Sequence, residues 1–221
     1  MTAIEPSRKD AENPTQNKRY SSSLRFWHWG NAIVITGSLL TVLVNSTVLA
    51  GWPTRTFVID NLKKSGTTVT EDQVRSLVGG LRDRVWDIHV YFGYFLAALL
   101  VFRLIYEVFA KDKKLARQIK GAYNLYRTGQ NRLIARHELV VKSLYATFYL
   151  LLIIMAATGL CLAFDDDIPA LHKMHWIKEV HGFCMYLVLA FIVVHLVGVF
   201  LAERKDSKGI VSDMINGGKE G

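Results

Sequence analysis

Four histidines lie within or at the edges of apolar stretches, and their spacing is the strongest chemical signal in the chain. They are His28, His89, His181 and His195. On one helix, the fourteen residues from His181 to His195 turn both imidazoles toward nearly the same face, about 21 Å apart along the axis. An ionisable group at membrane depth needs a partner, and neutral imidazole is a common metal ligand. A lone histidine of this kind is more often a packing residue, so a metal-binding role depends on how the four histidines are paired.

The segments that carry these histidines are long enough to cross a bilayer. Residues 32–51, 143–164 and 180–202 contain no Asp, Glu, Lys or Arg, and a fourth apolar stretch covers about 85–109. A run of about 20 apolar residues spans a bilayer core of roughly 30 Å. The sequence therefore excludes a water-soluble enzyme domain and predicts an all-α integral membrane protein, a bundle of four transmembrane helices. We expect these helices at 25–51, 85–109, 138–164 and 177–203.

The cysteines exclude two further classes. The sequence has two cysteines, Cys161 and Cys184, and both lie inside predicted spans. A secreted fold built on disulfides is therefore excluded. Neither cysteine belongs to a Cys-x-x-Cys-His motif, which excludes covalent c-type haem attachment.

The distribution of positive charge predicts the orientation. Seventeen Lys and Arg residues lie in 1–26, 110–138 and 203–221, against eight in 52–85 and 165–180. By the positive-inside bias, both termini are expected to be cytoplasmic. The net charge of +8 then signals orientation and contact with anionic lipid, and we expect no nucleic-acid partner. The expected organisation is a disordered or interfacial segment 1–24, a membrane domain 25–203 and a cytoplasmic tail 204–221.

Two shorter helices are expected outside the spans. On the outer side, Thr70 can cap a helix over Glu71–Leu81 that ends at Gly79-Gly80. On the cytoplasmic side, Leu115–Leu133 mixes apolar and basic residues at helical spacing. It is typical of an amphipathic helix at the membrane surface.

Depth alone sorts the histidines into two pairs. Because successive spans alternate in direction, His28 and His195 lie toward the cytoplasm, whereas His89 and His181 lie toward the outer side. Two facing imidazoles hold a b-type haem, so the four rings predict two haems: the inner iron bound by His28 and His195, the outer by His89 and His181. Zinc or copper would need further protein ligands at each depth. Bis-histidine ligation leaves no open iron position and favours electron transfer.

Arg103 is a second cofactor-binding candidate. It lies fourteen residues after His89, at the depth of the inner pair, where an arginine needs an anion. A haem propionate would satisfy it, and so would an ion pair with Glu107 one turn later. Both interactions can hold together.

With these residues in place, the chain resembles the cytochrome b subunits of nickel–iron hydrogenases, thiosulfate reductases and membrane formate dehydrogenases, within the cytochrome b561-like superfamily. The resemblance covers roughly residues 20–218. It rests on Arg25-Phe-Trp-His28-Trp-Gly-Asn31, on His89 with Arg103-Leu-Ile-Tyr106, on His181 with His195, and on the tail Glu203–Gly217.

The resemblance implies partners and a location. In that family an iron–sulfur or other redox subunit docks on the outer, periplasmic face of a bacterial cytoplasmic membrane. Electrons then pass through two b haems to a quinone near the cytoplasmic side. The resemblance thus implies an electron-transfer subunit of an oxidoreductase complex.

The expected quinone region departs from the family pattern. Where members often carry His-Asn followed by Gln, this chain has His137-Glu138 and Lys142. Glu138 is our candidate for proton transfer at a quinone site. The alternative is an ordinary solvated ion pair between Glu138 and Lys142 at i,i+4.

Two other functions stay open. One is a stand-alone cytochrome b561-type oxidoreductase of a small molecule such as superoxide, and the other is a haem-free membrane anchor or scaffold. The external loop histidines, His172 and His175, could contact a docking partner, but such residues are more often simply solvated.

Overall fold

The computed structural model describes residues 20–109, 115–129, 132–204 and 209–217. Within these ranges the chain is helical and contains no strand. Of the segment 1–24, predicted to be disordered or interfacial, residues 1–19 lie outside the described residues. The helices are α1 (Ser22–Leu43), α2 (Trp52–Lys64), α3 (Glu71–Phe109), α4 (Leu115–Thr128), α5 (Arg132–Ala163), α6 (Pro169–His172), α7 (Trp176–Arg204) and α8 (Ile210–Asn216).

Within the described ranges, four helical segments are long and apolar enough to cross a membrane: Ser22–Val48, Glu71–Phe109, Arg132–Ala163 and Trp176–Arg204. They coincide with the four predicted spans. The all-α integral membrane fold is therefore confirmed, and the protein is a multi-pass membrane protein.

The first span changes its hydrogen bonding before it ends. A π-helix, Val44–Val48, follows α1 directly. The hydroxyl of Thr47 donates to the carbonyl of Leu43 at 2.6 Å, and the buried Asn45 side chain donates to the carbonyl of Arg82 at 3.2 Å. Polar side chains that bond to backbone carbonyls compete with regular helix geometry. The helical segment consequently stops at Val48, three residues before the predicted end.

The outer segment predicted as a short helix is the beginning of α3. Its start is as expected: the Thr70 hydroxyl accepts from the Gln73 amide at 3.3 Å, and the Gln73 side chain accepts from the Thr70 amide at 2.9 Å. The predicted end at Gly79-Gly80 is wrong, because the helix continues to Phe109. Burial of Val74 and Val78 on the preceding turns offsets the helix cost of two glycines, about 1 kcal/mol each.

On the predicted cytoplasmic side, α4 is amphipathic as expected but shorter, since it ends at Thr128 before Gly129 at φ 79°. Its apolar face packs on α5: Leu125 and Tyr126 lie against a buried cluster of Ile134 and Ala135. This packing also explains why α5 begins at Arg132, six residues before the predicted start. The first residues of α5, which were expected to lie in a connection, form the surface against which α4 packs.

By internal contacts the chain forms two compact units, one comprising Gly30–Ala98 and the other the described residues before Gly30 and after Ala98. The second unit contains α4 to α8, the beginning of α1 and the end of α3. In that unit α5 packs along α7, and α8 packs against α7. In the first unit, Gly37 of α1 lies so close to Phe92 of α3 that a Cβ at Gly37 would come 2.4 Å from the ring.

Candidate functional site

His28 on α1 and His195 on α7, the predicted inner pair, lie side by side. Their ring centroids are 6.1 Å apart and the ring planes are inclined by 57°. An imidazole nitrogen binds a transition metal at about 2 Å, so two rings that flank one ion have centroids about 6 Å apart. The separation therefore fits one metal ion between the two rings.

The Nδ1 edge of the His28 ring is available to bind an added group. Its Nδ1 is buried and has no hydrogen-bond partner among the described residues. A buried polar atom without a partner costs about 1–3 kcal/mol. Trp29 packs edge-on at 5.2 Å from the His28 ring. The ring is thus enclosed by an aromatic neighbour while an edge stays free for an added group.

His195 packs at the end of a stack of aromatic rings. Its ring is parallel to Phe191 within 4°, at 6.1 Å between centroids, and Phe191 in turn stacks on Phe148 of α5 at 4.4 Å. Phe191 and His195 are one turn apart on α7, so the stack follows from their i,i+4 spacing. This apolar wall excludes water from one side of the imidazole.

His181, near the start of α7, is held by α5. Its Nδ1 lies 2.9 Å from the hydroxyl of Thr158, whose side chain is buried. The adjacent Gly159 permits this approach, because a Cβ there would lie 3.2 Å from Cε1 of the ring. The ring is therefore packed directly on the α5 backbone.

His89 has a similar support within the unit Gly30–Ala98. Its Nδ1 lies 2.9 Å from the Thr41 hydroxyl and 3.3 Å from both the Ser38 hydroxyl and the Ser38 carbonyl oxygen. Trp86 packs edge-on at 5.2 Å. In both His89 and His181, the protein thus engages the Nδ1 side of the imidazole.

Arg103 is already paired. Its Nη2 forms an ion pair with Glu107 at 3.3 Å, and its Nε donates to the Tyr149 hydroxyl at 2.8 Å. The guanidinium also lies over the rings of Trp27 and Tyr106, at 5.8 and 5.5 Å. The Glu107 alternative is therefore present, and a role toward a propionate stays a prediction.

Glu138 and Lys142 form the expected i,i+4 ion pair, but the pair is not solvated. The side chain of Glu138 is 2% exposed and that of Lys142 is 12% exposed. Glu138 follows Ile134 and Ala135 by one turn, in the part of α5 that α4 covers. An enclosed carboxylate differs energetically from a surface charge, because removal of its ion-pair partner leaves a charge in the protein interior.

The beginning of α1 is fastened by α8. Arg25 donates to the carbonyl of Ile215, and Trp29 donates to the carbonyl of Met214 at 3.2 Å. The guanidinium of Arg25 also lies against Gly217, where a Cβ would be 3.4 Å from Cζ. Both contacts flank His28 in the sequence, so α8 helps to hold the helix end that carries this histidine.

The loop histidine His175 has a different setting. His175 is exposed and lines a cavity of about 380 Å³ together with Cys161, Asp165, Met174, Lys178 and Glu179, among others. The side chain of His172 lies outside the described residues. Cys161 and Cys184 are free thiols, and Cys184 is buried.

Sequence reasoning missed the supporting residues. Thr41, Thr158, Tyr149 and Phe191 contact candidate site residues, and Phe148 stacks on Phe191. In the sequence each is an ordinary member of an apolar span. A faint signal existed for the threonines, because a hydroxyl in an apolar helix must find a partner. The partner itself depends on helix packing, which the sequence does not reveal.

Among the described residues, no group of three or more His, Cys, Asp or Glu side chains is placed to hold a bare metal ion. The paired imidazoles instead suit a cofactor that brings its own equatorial ligands, as haem does. Fold and site together define a multi-pass membrane protein of the cytochrome b class.

The chain belongs to the prokaryotic cytochrome b561 family, whose model matches residues 19–217. Its cofactor class is therefore b-type haem, and its role is that of a membrane cytochrome b in electron transfer. No significant match was found among curated proteins or among solved structures. The resemblance to hydrogenase-type and related membrane subunits is thus supported at the level of the family, and the particular subfamily stays a prediction.

Proposed function

We propose that this chain carries electrons across a bacterial cytoplasmic membrane, between a redox partner on the outer side and the quinone pool on the cytoplasmic side. The observation that supports the proposal most directly is the pair His28 and His195, whose rings lie 6.1 Å apart inside two apolar helices. A haem held by two imidazoles supplies reversible one-electron transfer without an open iron position.

At the inner site, His28 and His195 would hold the haem iron. The apolar stack behind His195 excludes water, and the ion-paired Arg103 keeps a cation at that end of the membrane. We propose that Arg103 binds a haem propionate in addition to Glu107. A guanidinium has five donors, and the contacts to Tyr149 and Glu107 leave others for such an anion.

At the outer side, His89 and His181 are the proposed ligands of a second haem. The membrane depth predicted for both residues from the sequence supports this assignment. The hydroxyl group at the Nδ1 side of each ring supports it as well. Ligating histidines usually bond through their second nitrogen to a neighbouring acceptor. The long outer part of the chain, 49–84, is the proposed contact for the external redox subunit.

On the cytoplasmic side, we propose that Glu138 transfers protons to quinone. Its buried carboxylate forms an ion pair with Lys142. Gain or loss of a proton by Glu138 therefore changes the net charge of this enclosed pair. The test is Glu138→Gln with quinol formation followed across pH. A pH profile identical to that of the wild type contradicts the role.

The cofactor assignment is tested by a pyridine haemochrome assay. Purified wild-type protein is expected to contain two haems per chain, and His28→Ala and His181→Ala one each. His175→Ala is the matched control, because this exposed loop histidine should leave the count at two. A colourless wild-type protein without a Soret band would instead support a haem-free membrane scaffold.

A second candidate is a stand-alone oxidoreductase of a small molecule such as superoxide. The cavity of about 380 Å³ at the outer end of α7 favours it, because Lys178 lines the cavity and precedes His181 by one turn. Purification from native membranes separates the two. Copurifying redox subunits support the electron-transfer complex, whereas a lone chain reduced directly by superoxide supports the second candidate.

A further inference from the structure

The hydroxyl of Thr41 faces two groups at once. It donates to the carbonyl oxygen of Ser38 at 2.6 Å and lies 2.9 Å from Nδ1 of His89. A hydroxyl has one proton, and a carbonyl oxygen can only accept. The proton of Thr41 is therefore committed to Ser38, and its oxygen faces His89 as an acceptor.

Thr158 repeats this arrangement in another helix. Its hydroxyl donates to the carbonyl oxygen of Ile154 at 2.7 Å and lies 2.9 Å from Nδ1 of His181. The same reasoning makes Thr158 an acceptor toward the ring. Each threonine is 8% exposed, so these hydrogen bonds are shielded from water.

An acceptor at Nδ1 determines which nitrogen can bind a metal. A neutral imidazole has one N–H and one lone pair, so a proton held at Nδ1 leaves the lone pair on Nε2. Hydrogen bonding at the other nitrogen also orients the ring and raises the basicity of the ligand. In His28, by contrast, Nδ1 has no partner among the described residues.

We infer that Thr41 and Thr158 are positioning residues for the two outer haem ligands: they hold the Nδ1 protons of His89 and His181 so that each ring presents Nε2 to iron. The inference rests on the proposed outer haem. It also distinguishes the two haems, because the outer ligands have threonine acceptors and His28 does not.

The test replaces each threonine with valine, which has nearly the same shape and no acceptor. Thr158→Val is expected to weaken outer haem retention by about 10–100-fold, and Thr41→Val by less, because the carbonyl and hydroxyl oxygens of Ser38 also lie 3.3 Å from Nδ1 of His89. Both variants are also expected to raise the midpoint potential of the outer haem, since a less basic imidazole stabilises the ferric state less. The ferric low-spin EPR signal of that haem should shift as its ring orientation relaxes. Thr41→Ser and Thr158→Ser restore a hydroxyl and should restore all three properties.

The matched control is Thr147→Val, also in α5. Thr147 is exposed, and its hydroxyl donates to the carbonyl of Ser143 at 3.1 Å, so the substitution removes the same kind of helix bond without a histidine partner. It should leave haem content, potential and EPR signal unchanged. A valine variant that does not accumulate is replaced by alanine at the same position and compared with Thr147→Ala.

The outcomes separate the inference from the function on which it rests. A wild-type protein without an outer haem overturns the proposed function. A wild-type protein with two haems, together with threonine variants that keep both haems at wild-type potentials and signals, overturns the positioning role alone.

Discussion

Single side chains at this site act mainly through hydrogen bonds that fasten one helix to the next. Thr158 bonds to His181 between α5 and α7, and Tyr149 of α5 accepts from Arg103 of α3. Each contact gives a polar group in an apolar span a partner on another helix. The four histidines could be recognised from the sequence, because an ionisable group in an apolar run is conspicuous. Thr158 and Tyr149 could not, because their roles depend on which helix lies opposite.

We expect Arg103→Lys to lower the free energy of unfolding by about 1–3 kcal/mol, because an ammonium cannot reproduce the planar fork that reaches Tyr149 and Glu107 together. Thermal unfolding in detergent measures the change. The control is Arg84→Lys in an exposed pair with Asp87, whose side chains are 83% and 59% exposed. Surface pairs of this kind contribute little. Equal effects at Arg103 and Arg84 would contradict the structural role of the Arg103 cluster.

Among the helices, α3 and α2 show which helix boundaries the local sequence predicts and which depend on packing. The capping residues at Thr70 and Gln73 identify the start of α3 correctly. The paired glycines do not end the helix, since their local cost is smaller than the gain from neighbouring buried residues. The helix α2 was not predicted, because Trp52–Lys64 mixes apolar and charged residues without an uninterrupted apolar run.

The continuity of α3 predicts opposite effects for two glycine substitutions. Gly80→Ala is expected to stabilise the protein by about 1 kcal/mol, because Gly80 is helical and a Cβ there meets nothing within 4 Å. Gly37→Ala is expected to destabilise it, because the new Cβ would come 2.4 Å from the ring of Phe92. Thermal unfolding of the two variants decides. A loss of stability in Gly80→Ala would indicate that the helix does not continue there.

The enclosed pair under α4 predicts strong coupling. Glu138→Leu and Lys142→Met alone are each expected to cost about 3–5 kcal/mol, because each removes the ion-pair partner of an enclosed charge. The double variant should recover most of this loss. A double-mutant cycle on unfolding free energies measures the coupling, with Lys173→Met on the exposed loop as control. Additive single effects would show that the two charges do not stabilise each other.

For the whole molecule, the arrangement of charge is more informative than its total. The excess of Lys and Arg at the termini and in the 110–138 connection predicts one orientation for all four spans. The apolar spans themselves were readily predicted, because only a continuous apolar run of sufficient length satisfies the bilayer. Labelling of single cysteines in intact cells measures this orientation.

Two single-cysteine variants test this orientation, after replacement of Cys161 and Cys184 by alanine. Thr68→Cys lies in the exposed turn before α3, and Asn124→Cys lies on the exposed face of α4. A membrane-impermeant maleimide should label Thr68→Cys from the periplasmic side. It should label Asn124→Cys only after the inner membrane is opened. The reverse pattern would invert the topology and exchange the inner and outer histidine pairs.

The fastening of α1 by α8 has a consequence for biogenesis. Arg25 and Trp29 receive their acceptors from residues about 190 positions later in the chain. During synthesis, the ribosome has already produced every span before these acceptors exist. The helix end around His28 is therefore completed last, which leaves an interval during synthesis in which a cofactor can reach this histidine before α8 packs against the beginning of α1.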